Sequence, residues 1–191
     1  MWHTSITLLF SALEHISVRD SSGNELEPEK GFTLLKTITM ETSRSGNRVY
    51  FIGNGASASM ASHFAADLTK NGLIPAEVFT DLSLLTAYAN DISYDQVFAA
   101  PLKLKMRKGD MLVAISSSGN SVNVLNGAET GRVSGGTVVT LSAMAENNTL
   151  RTLGDLNFYI PAETYGLAET GHAAILHHWI DMVTGEMKRN E

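Results

Sequence analysis

Short, uncharged and mostly apolar runs alternate with longer amphipathic ones along this chain. Val49-Tyr50-Phe51-Ile52, Met111-Leu112-Val113-Ala114-Ile115, Thr137-Val138-Val139-Thr140-Leu141 and Leu156-Asn157-Phe158-Tyr159-Ile160 carry no charge and read as strands covered on both faces. Glu77-Val78-Phe79 is a weaker strand. Between the runs, apolar positions recur at intervals of three and four. They predict helices over residues 57–70, 81–90, 93–106, 121–133 and 167–187. Ahead of the first strand, residues 4–19 and 29–45 predict two more helices, joined by the polar connector Ser21 to Pro28. Strands alternating with helical spans imply βαβ units, hence an α/β fold with a doubly wound parallel sheet. The leading helical pair has no strand partner. It is expected to pack on the sheet or against another subunit.

A length of 191 residues fits one domain, with 1–46 as N-terminal helices and 47–191 as the α/β core. A hydrophobic fraction of 43% with 18% charged residues excludes disorder. Lys and Arg number 14 against 20 Asp and Glu, a net charge of −6 that argues against nucleic acid as a partner. With no cysteine, disulfides, thiolate zinc sites and cysteine nucleophiles are all excluded. Ile6, Leu8, Leu9, Phe10 and Leu13 form an early apolar patch. No Lys or Arg precedes it, and Glu14 and His15 interrupt it, so it reads as an amphipathic helix rather than a secretory leader. No run approaches the ~18 apolar residues of a membrane span. A soluble, cytoplasmic protein without a membrane partner is expected.

Two strand-to-helix turns carry unusual chemistry. In doubly wound sheets ligands bind at the carboxyl ends of strands, where helix N-termini present free N–H groups to anions. The second turn, Ser116-Ser117-Ser118-Gly119-Asn120-Ser121, holds four serines, more than one helix cap requires. Hydroxyls and backbone N–H groups together make a neutral cradle for a phosphate. The first turn, Gly53-Asn54-Gly55-Ala56-Ser57-Ala58-Ser59, also fits a loose dinucleotide fingerprint, with Asp81 as the candidate ribose acid. Against a dinucleotide stands the little room left for a separate substrate domain.

His63 and Asp67, four apart on the helix after the first turn, share one face at the edge of its apolar stripe. The last helix carries His172, His177 and His178. His172 falls within the core stripe, His177 on the flank where a cleft could lie, and His178 on the surface. The His63–Asp67 pair reads equally as a salt-bridged boundary contact, and three nearby histidines also permit a metal.

These segments resemble the sugar isomerase (SIS) domain family, most closely its phosphoheptose isomerases. Gly53 to Ser57 with His63-Phe64-Ala65-Ala66-Asp67-Leu68-Thr69 is similar to the family's GNGGS…HFAAELT motif. Asn90-Asp91 with Tyr94-Asp95 resembles its ND-x-x-YD segment, and Ser116 to Ser121 its STSGNS loop, with Asn123-Val124-Leu125 continuing the match. Glu169, His172 and His177 fall on its Q-x-x-H-x-x-x-x-H segment. The likeness spans about residues 48–187. It implies a single SIS domain, a five-stranded parallel sheet between helices, and a homotetramer with sites at subunit interfaces. It also implies isomerisation of a ketose phosphate, sedoheptulose 7-phosphate foremost, to an aldose phosphate through an enediol, with no nucleotide cofactor. The implied acid/base pair is Asp67 and His177. Asn54, Ser57, Asn90, Asp91, Ser116, Ser117, Ser118, Ser121 and Glu169 are implied to contact substrate, and zinc is implied at His63, Asp67, Glu169 and His177. The alternative is a non-catalytic SIS module that binds a phosphosugar or a protein.

The chemistry matches the residue types. Moving a proton between C1 and C2 needs a base for the carbon acid and a shuttle for the oxygen proton, tasks that suit a carboxylate and an imidazole. Asp67 stands where the family usually has Glu, retracting the carboxylate by roughly 1.5 Å, a displacement that matters on the scale of catalytic positioning. Glu169 stands where the family has Gln. Eight residues separate Glu169 from His177, about 12 Å on a straight helix, so they can share an ion only if Glu169 lies in the lead-in turn.

Overall fold

The structure, a computed structural model, describes residues 1–189. Seven strands form one sheet, in the order β2-β1-β7-β6-β5-β3-β4. Five of them, β3 (Val49–Gly53), β4 (Ala76–Val78), β5 (Met111–Ser116), β6 (Thr137–Ala143) and β7 (Leu156–Ile160), run parallel. The helices are α1 (Trp2–Glu14), α2 (Pro28–Arg44), α3 (Ala56–Lys70), α4 (Leu82–Asp91), α5 (Ala99–Lys105), α6 (Val122–Val133) and α7 (Tyr165–Arg189).

The apolar runs form strands because alternate side chains feed two separate cores. Val49, Phe51, Val113, Ile115, Val139 and Phe158 pack under α1, α2, α3 and α7. Tyr50, Ile52, Leu112, Ala114 and Val138 pack on the opposite face with Phe98, Leu102 and Val124 of the α5 and α6 side. A strand buried on both faces therefore carries apolar residues at nearly every position rather than at every second one, and the polar exceptions Thr140 and Asn157 hydrogen-bond to each other. The Trp179 indole N–H of α7 donates to the buried Thr39 hydroxyl of α2 at 3.0 Å, so even the polar tip of the largest core side chain is satisfied.

Two predicted elements change. The helix expected over 4–19 stops at Glu14, and β1 (Ser17–Asp20) and β2 (Glu25–Leu26) form an antiparallel hairpin that extends the five parallel strands. β1 pairs with β7 from Ser17↔Tyr159 to Asp20↔Leu156, and Val18 is fully buried by it. The helix expected over 93–106 is a short 3-10 turn, Tyr94–Gln96, followed by α5 from Ala99. Pro101 gives the reason. It has no N–H to donate and its ring excludes the carbonyl four residues back, so it fits only in a first helical turn.

Among the described residues no helix is long and apolar enough to cross a membrane.

Candidate functional site

The strand order reverses between β3 and β5: β3 leads outward to β4, and β5 leads to β6 in the other direction. Their following helices, α3 and α6, cover opposite faces, which opens a crevice at the two carboxyl ends. A cleft of about 250 Å³ lies there. Asn54 to Ser57 line it from the first turn, Ser116, Ser117, Ser118 and Ser121 from the second, and Tyr165 and Glu169 from α7. Gly53 permits the close approach of the turns, since a Cβ there would meet Ser57 Cβ at 2.7 Å and the Ile115 carbonyl at 3.0 Å.

Among the described residues no Lys or Arg lines the cleft. Its donors are hydroxyls, the Asn54 carboxamide and backbone N–H groups at the starts of α3 and α6, with the Glu169 carboxylate beside them. The serine loop is held from behind. Ala143 N–H donates to the Ser117 carbonyl at 3.0 Å and Leu150 N–H to the Gly119 carbonyl at 2.9 Å. Thr149 N–H donates to Asn120 Oδ1 at 3.1 Å, while the Ser116 and Ser121 hydroxyls lie 3.2 Å apart. Gly119 has φ +62°, and a Cβ on it would collide with the buried Asn148 carboxamide. Behind that loop the Arg151 guanidinium, almost wholly buried, stacks on the Tyr159 ring at 4.4 Å and donates to the Ser17 hydroxyl and the Glu146 carbonyl. The N-terminal hairpin is thereby tied to the wall of the cradle.

The predicted acid/base pair is brought together at the surface edge where α3 and α7 meet. His63 Nε2 lies 3.4 Å from Asp67 Oδ2, and the His177 ring sits edge-on to His63 at 5.4 Å and to Phe64 at 4.8 Å. Asn71 Nδ2 donates to the other Asp67 oxygen at 3.3 Å. The ligand atoms of His63, Asp67 and His177 all lie within 4.8 Å of one another. Two imidazoles and a carboxylate at that spacing fit a divalent ion of the zinc type and leave a position free. Glu169 does not join them. It lies inside α7, which begins at Tyr165 rather than after Glu169, and faces the cleft about two helical turns away from His177. Among the described residues the expected quartet is thus a triad.

Other predicted residues fall elsewhere. Asn90 and Asp91 end α4, exposed and outside the cleft lining, with Asn90 Nδ2 donating to Asp91 Oδ1 at 2.8 Å. Asp81 caps α4 by accepting from Leu84 N–H at 2.8 Å, so the candidate ribose acid has a structural role. His178 is exposed, its ring edge-on to Phe32 at 4.6 Å. His172 is fully buried against the sheet with neither ring nitrogen hydrogen-bonded. Burial pushes its pKa down to about 4, and the nearby Ser142 backbone, a smaller influence, acts the other way.

Tyr165, Tyr94 and Asn123 were not singled out by sequence as site residues. Tyr165 lines the cleft, and the Tyr94 hydroxyl donates to Asn54 Oδ1 at 3.1 Å. Asn123 exchanges two hydrogen bonds with Asn54. A polar residue two positions into the helix after the serine loop was the available signal for Asn123; nothing local marks Tyr165.

The sequence profile described as SIS domain matches residues 27–143. A phosphoheptose isomerase of Aliarcobacter butzleri is 35% identical over 156 residues, covering 78% of this chain and 82% of its own. One of Mycobacterium tuberculosis is 41% identical over 140 residues, covering 70% and 71%. The solved structure of a phosphoheptose isomerase from Neisseria gonorrhoeae superposes with a TM-score of 0.76 at 28% identity, over 81% of this chain and 86% of that one. With its fold, its cleft at the strand reversal and these matches taken together, the chain belongs to the SIS-domain family and has phosphoheptose isomerases among its relatives.

Proposed function

We propose that this chain is an aldose–ketose isomerase that converts sedoheptulose 7-phosphate to an aldoheptose 7-phosphate. One observation carries the reading. Asp67 and His177 stand together on α3 and α7, and both helices begin at the cradle. The cradle takes the phosphate on the Ser116–Ser121 loop, and Glu169 at its edge accepts from sugar hydroxyls. From there the helices run about 9 Å between Ser57 and His63 and about 12 Å between Glu169 and His177. A seven-carbon chain anchored by its terminal phosphate suits such a gap.

In this reading one of the pair takes the proton from C1 of the ketose and returns it at C2. The other carries a proton between the two oxygens, so that an enediol forms and collapses to the aldose. Asn71 and His63 orient the Asp67 carboxylate for that work. His63, Asp67 and His177 are the residues that would hold a divalent ion. Such an ion, when bound, polarises a carbonyl oxygen as a Lewis acid. Anchoring the distant phosphate supplies binding energy for orientation at the reacting carbons.

His63 and His177 are exposed in the single chain, as are Trp2, Ile6, Leu8 and Phe10 on α1. Both surfaces fit a homotetramer in which further copies cover the helices and close the site. Light scattering of the purified protein reads the copy number.

The discriminating experiment supplies sedoheptulose 7-phosphate and follows both binding and aldose formation. Turnover supports the isomerase. Stabilisation of the fold by the ester without turnover supports the non-catalytic phosphosugar-binding module instead.

A further inference from the structure

Asn54 and Asn123 lie on different turns, 69 residues apart in sequence, and their carboxamides pair reciprocally. Asn54 Nδ2 donates to Asn123 Oδ1 at 2.9 Å, and Asn123 Nδ2 donates to Asn54 Oδ1 at 2.9 Å. A carboxamide pair could in principle be turned end for end, and here the backbone decides. Val124 N–H, which can only donate, is shared between the Ser121 carbonyl and Asn123 Oδ1, each at 3.0 Å, so an amide nitrogen in place of that oxygen would set donor against donor. The Asn123 nitrogen must then face Asn54, so the Asn54 oxygen must face that nitrogen. The Tyr94 hydroxyl takes the second lone pair of the same oxygen at 3.1 Å.

Little freedom is left to Asn54. A carboxamide has two donors and an oxygen that accepts twice. Both acceptor positions of Asn54 are filled and one of its N–H groups is committed to Asn123. What Asn54 can offer to the cleft it lines is a single N–H. Asn123 itself is only 3% exposed and cannot reach a ligand as Asn54 can.

We infer that Asn123 is a positioning residue for the substrate: it fixes Asn54 as a donor-only contact to a sugar or phosphate oxygen and holds the two turns at one separation. The inference rests on the proposed phosphosugar site and adds to it a reason for the orientation of one amide. An oxygen that accepts is welcomed there; a group that must donate finds no acceptor on Asn54.

The test compares wild type with Asn123→Ala and Asn123→Asp, reading the Kd for sedoheptulose 7-phosphate by calorimetry, KM and kcat by turnover, and melting temperature. Loss of the pair is expected to raise Kd and KM about tenfold, the worth of a hydrogen bond or two in a buried site, with kcat within about threefold. Asn123→Asp adds a readout that a merely structural role would not move. Its carboxylate still accepts from Asn54 and Val124 but cannot donate to the Asn54 oxygen; protonated, it can. Desolvation at this 3% exposed position, with the Asn54 oxygen facing it, raises such a carboxyl above its ordinary range, so binding by Asn123→Asp relative to wild type is expected to recover from pH 8 to pH 5, and that of Asn123→Ala is not. Referring each value to wild type at the same pH cancels the ester's own ionisation and the acids on neighbouring segments, Asp95 and Glu169. If either variant fails to fold, Tyr94→Phe removes the other donor to the Asn54 oxygen from an exposed position, and a two- to fivefold rise in Kd is expected.

Unchanged Kd in Asn123→Ala, a loss wholly in kcat, or an Asn123→Asp defect equal at both pH values would overturn the inference. A wild type that binds the ester without isomerising it defeats the isomerase reading alone, since the Kd comparison still decides the pairing. A wild type that does not bind the ester defeats both.

Discussion

Acid should destabilise this protein before its carboxylates protonate, and His172 is the reason. The ring is fully buried with neither nitrogen hydrogen-bonded, and burial pushes its pKa down to about 4. In the unfolded chain the same group titrates near 6.5. Proton counting sets the sign. Between these values the unfolded state binds a proton that the folded state refuses, so stability falls as pH drops through 6.5 and the loss is complete near 4. Two and a half pH units at 1.36 kcal/mol each give a ceiling of about 3 kcal/mol, of which about 2 kcal/mol is lost by pH 5. For a chain of this length that is a fall in melting temperature of roughly 4–8 °C between pH 7 and pH 5. Glu77, held below the usual carboxylate range chiefly by its hydrogen bond from Lys105, belongs to a more acidic window, where its contribution is lost only as pH falls below the ordinary carboxylate range. The perturbation is His172→Leu, similar in volume and with no polar atom to strand. Thermal melts at fixed protein concentration, from pH 7 to pH 5, should show a clear slope in wild type and a much flatter one in the variant. At pH 7 the variant should be as stable as wild type or more so, because an unsatisfied buried group is gone. A flat wild-type profile, or equal slopes in the two proteins, would refute the reasoning.

Asp67→Asn and His177→Ala should each lower isomerisation by about 10²–10⁴; because both sit at the surface edge of α3 and α7, melting temperature should barely move, and a parallel loss of fold would point to structural roles. Ser118→Ala should weaken phosphosugar binding by roughly three- to tenfold, one hydrogen bond's worth, as calorimetry would read. Gly119→Ala should do more, costing about 2 kcal/mol or above in stability, because it pairs a left-handed backbone with a collision against Asn148, and a denaturant titration measures that directly. Titrating the metal-free protein with zinc should give one site per chain that His63→Ala or Asp67→Ala weakens and Glu169→Gln does not, since Glu169 stands away from the triad.

The parallel strands were readable because a short uncharged run that is apolar at nearly every position, too short to cross a membrane, fits little besides a strand covered on both faces. The two turns were readable from composition, four serines in six residues being more than a cap needs. The hairpin was not. Val18 looks like the continuation of an amphipathic helix and Leu26 lies in a polar connector; pairing with β2 and with β7, the latter over 130 residues away, makes Ser17–Asp20 extended. Tertiary pairing of this kind overrides local propensity. The break before Ala99 was legible in retrospect, since Pro101 cannot stand inside a helix. Glu169 already fell inside the helix expected over 167–187; only the resemblance placed it with the metal group, and the helix keeps it about two turns from His177, at the cleft. The Asn54–Asn123 pair lies beyond any local pattern, because each partner is an ordinary polar residue until the sheet sets the turns side by side.

The most direct measurement is turnover of sedoheptulose 7-phosphate in deuterated water, with Asp67→Asn alongside. Wild type should form an aldoheptose 7-phosphate carrying solvent deuterium at C2, as an enediol with an exchanging base requires, and the variant should form almost none. An ester that binds in the serine loop yet yields neither aldose nor exchange would contradict the assignment of Asp67 and His177 to the chemistry.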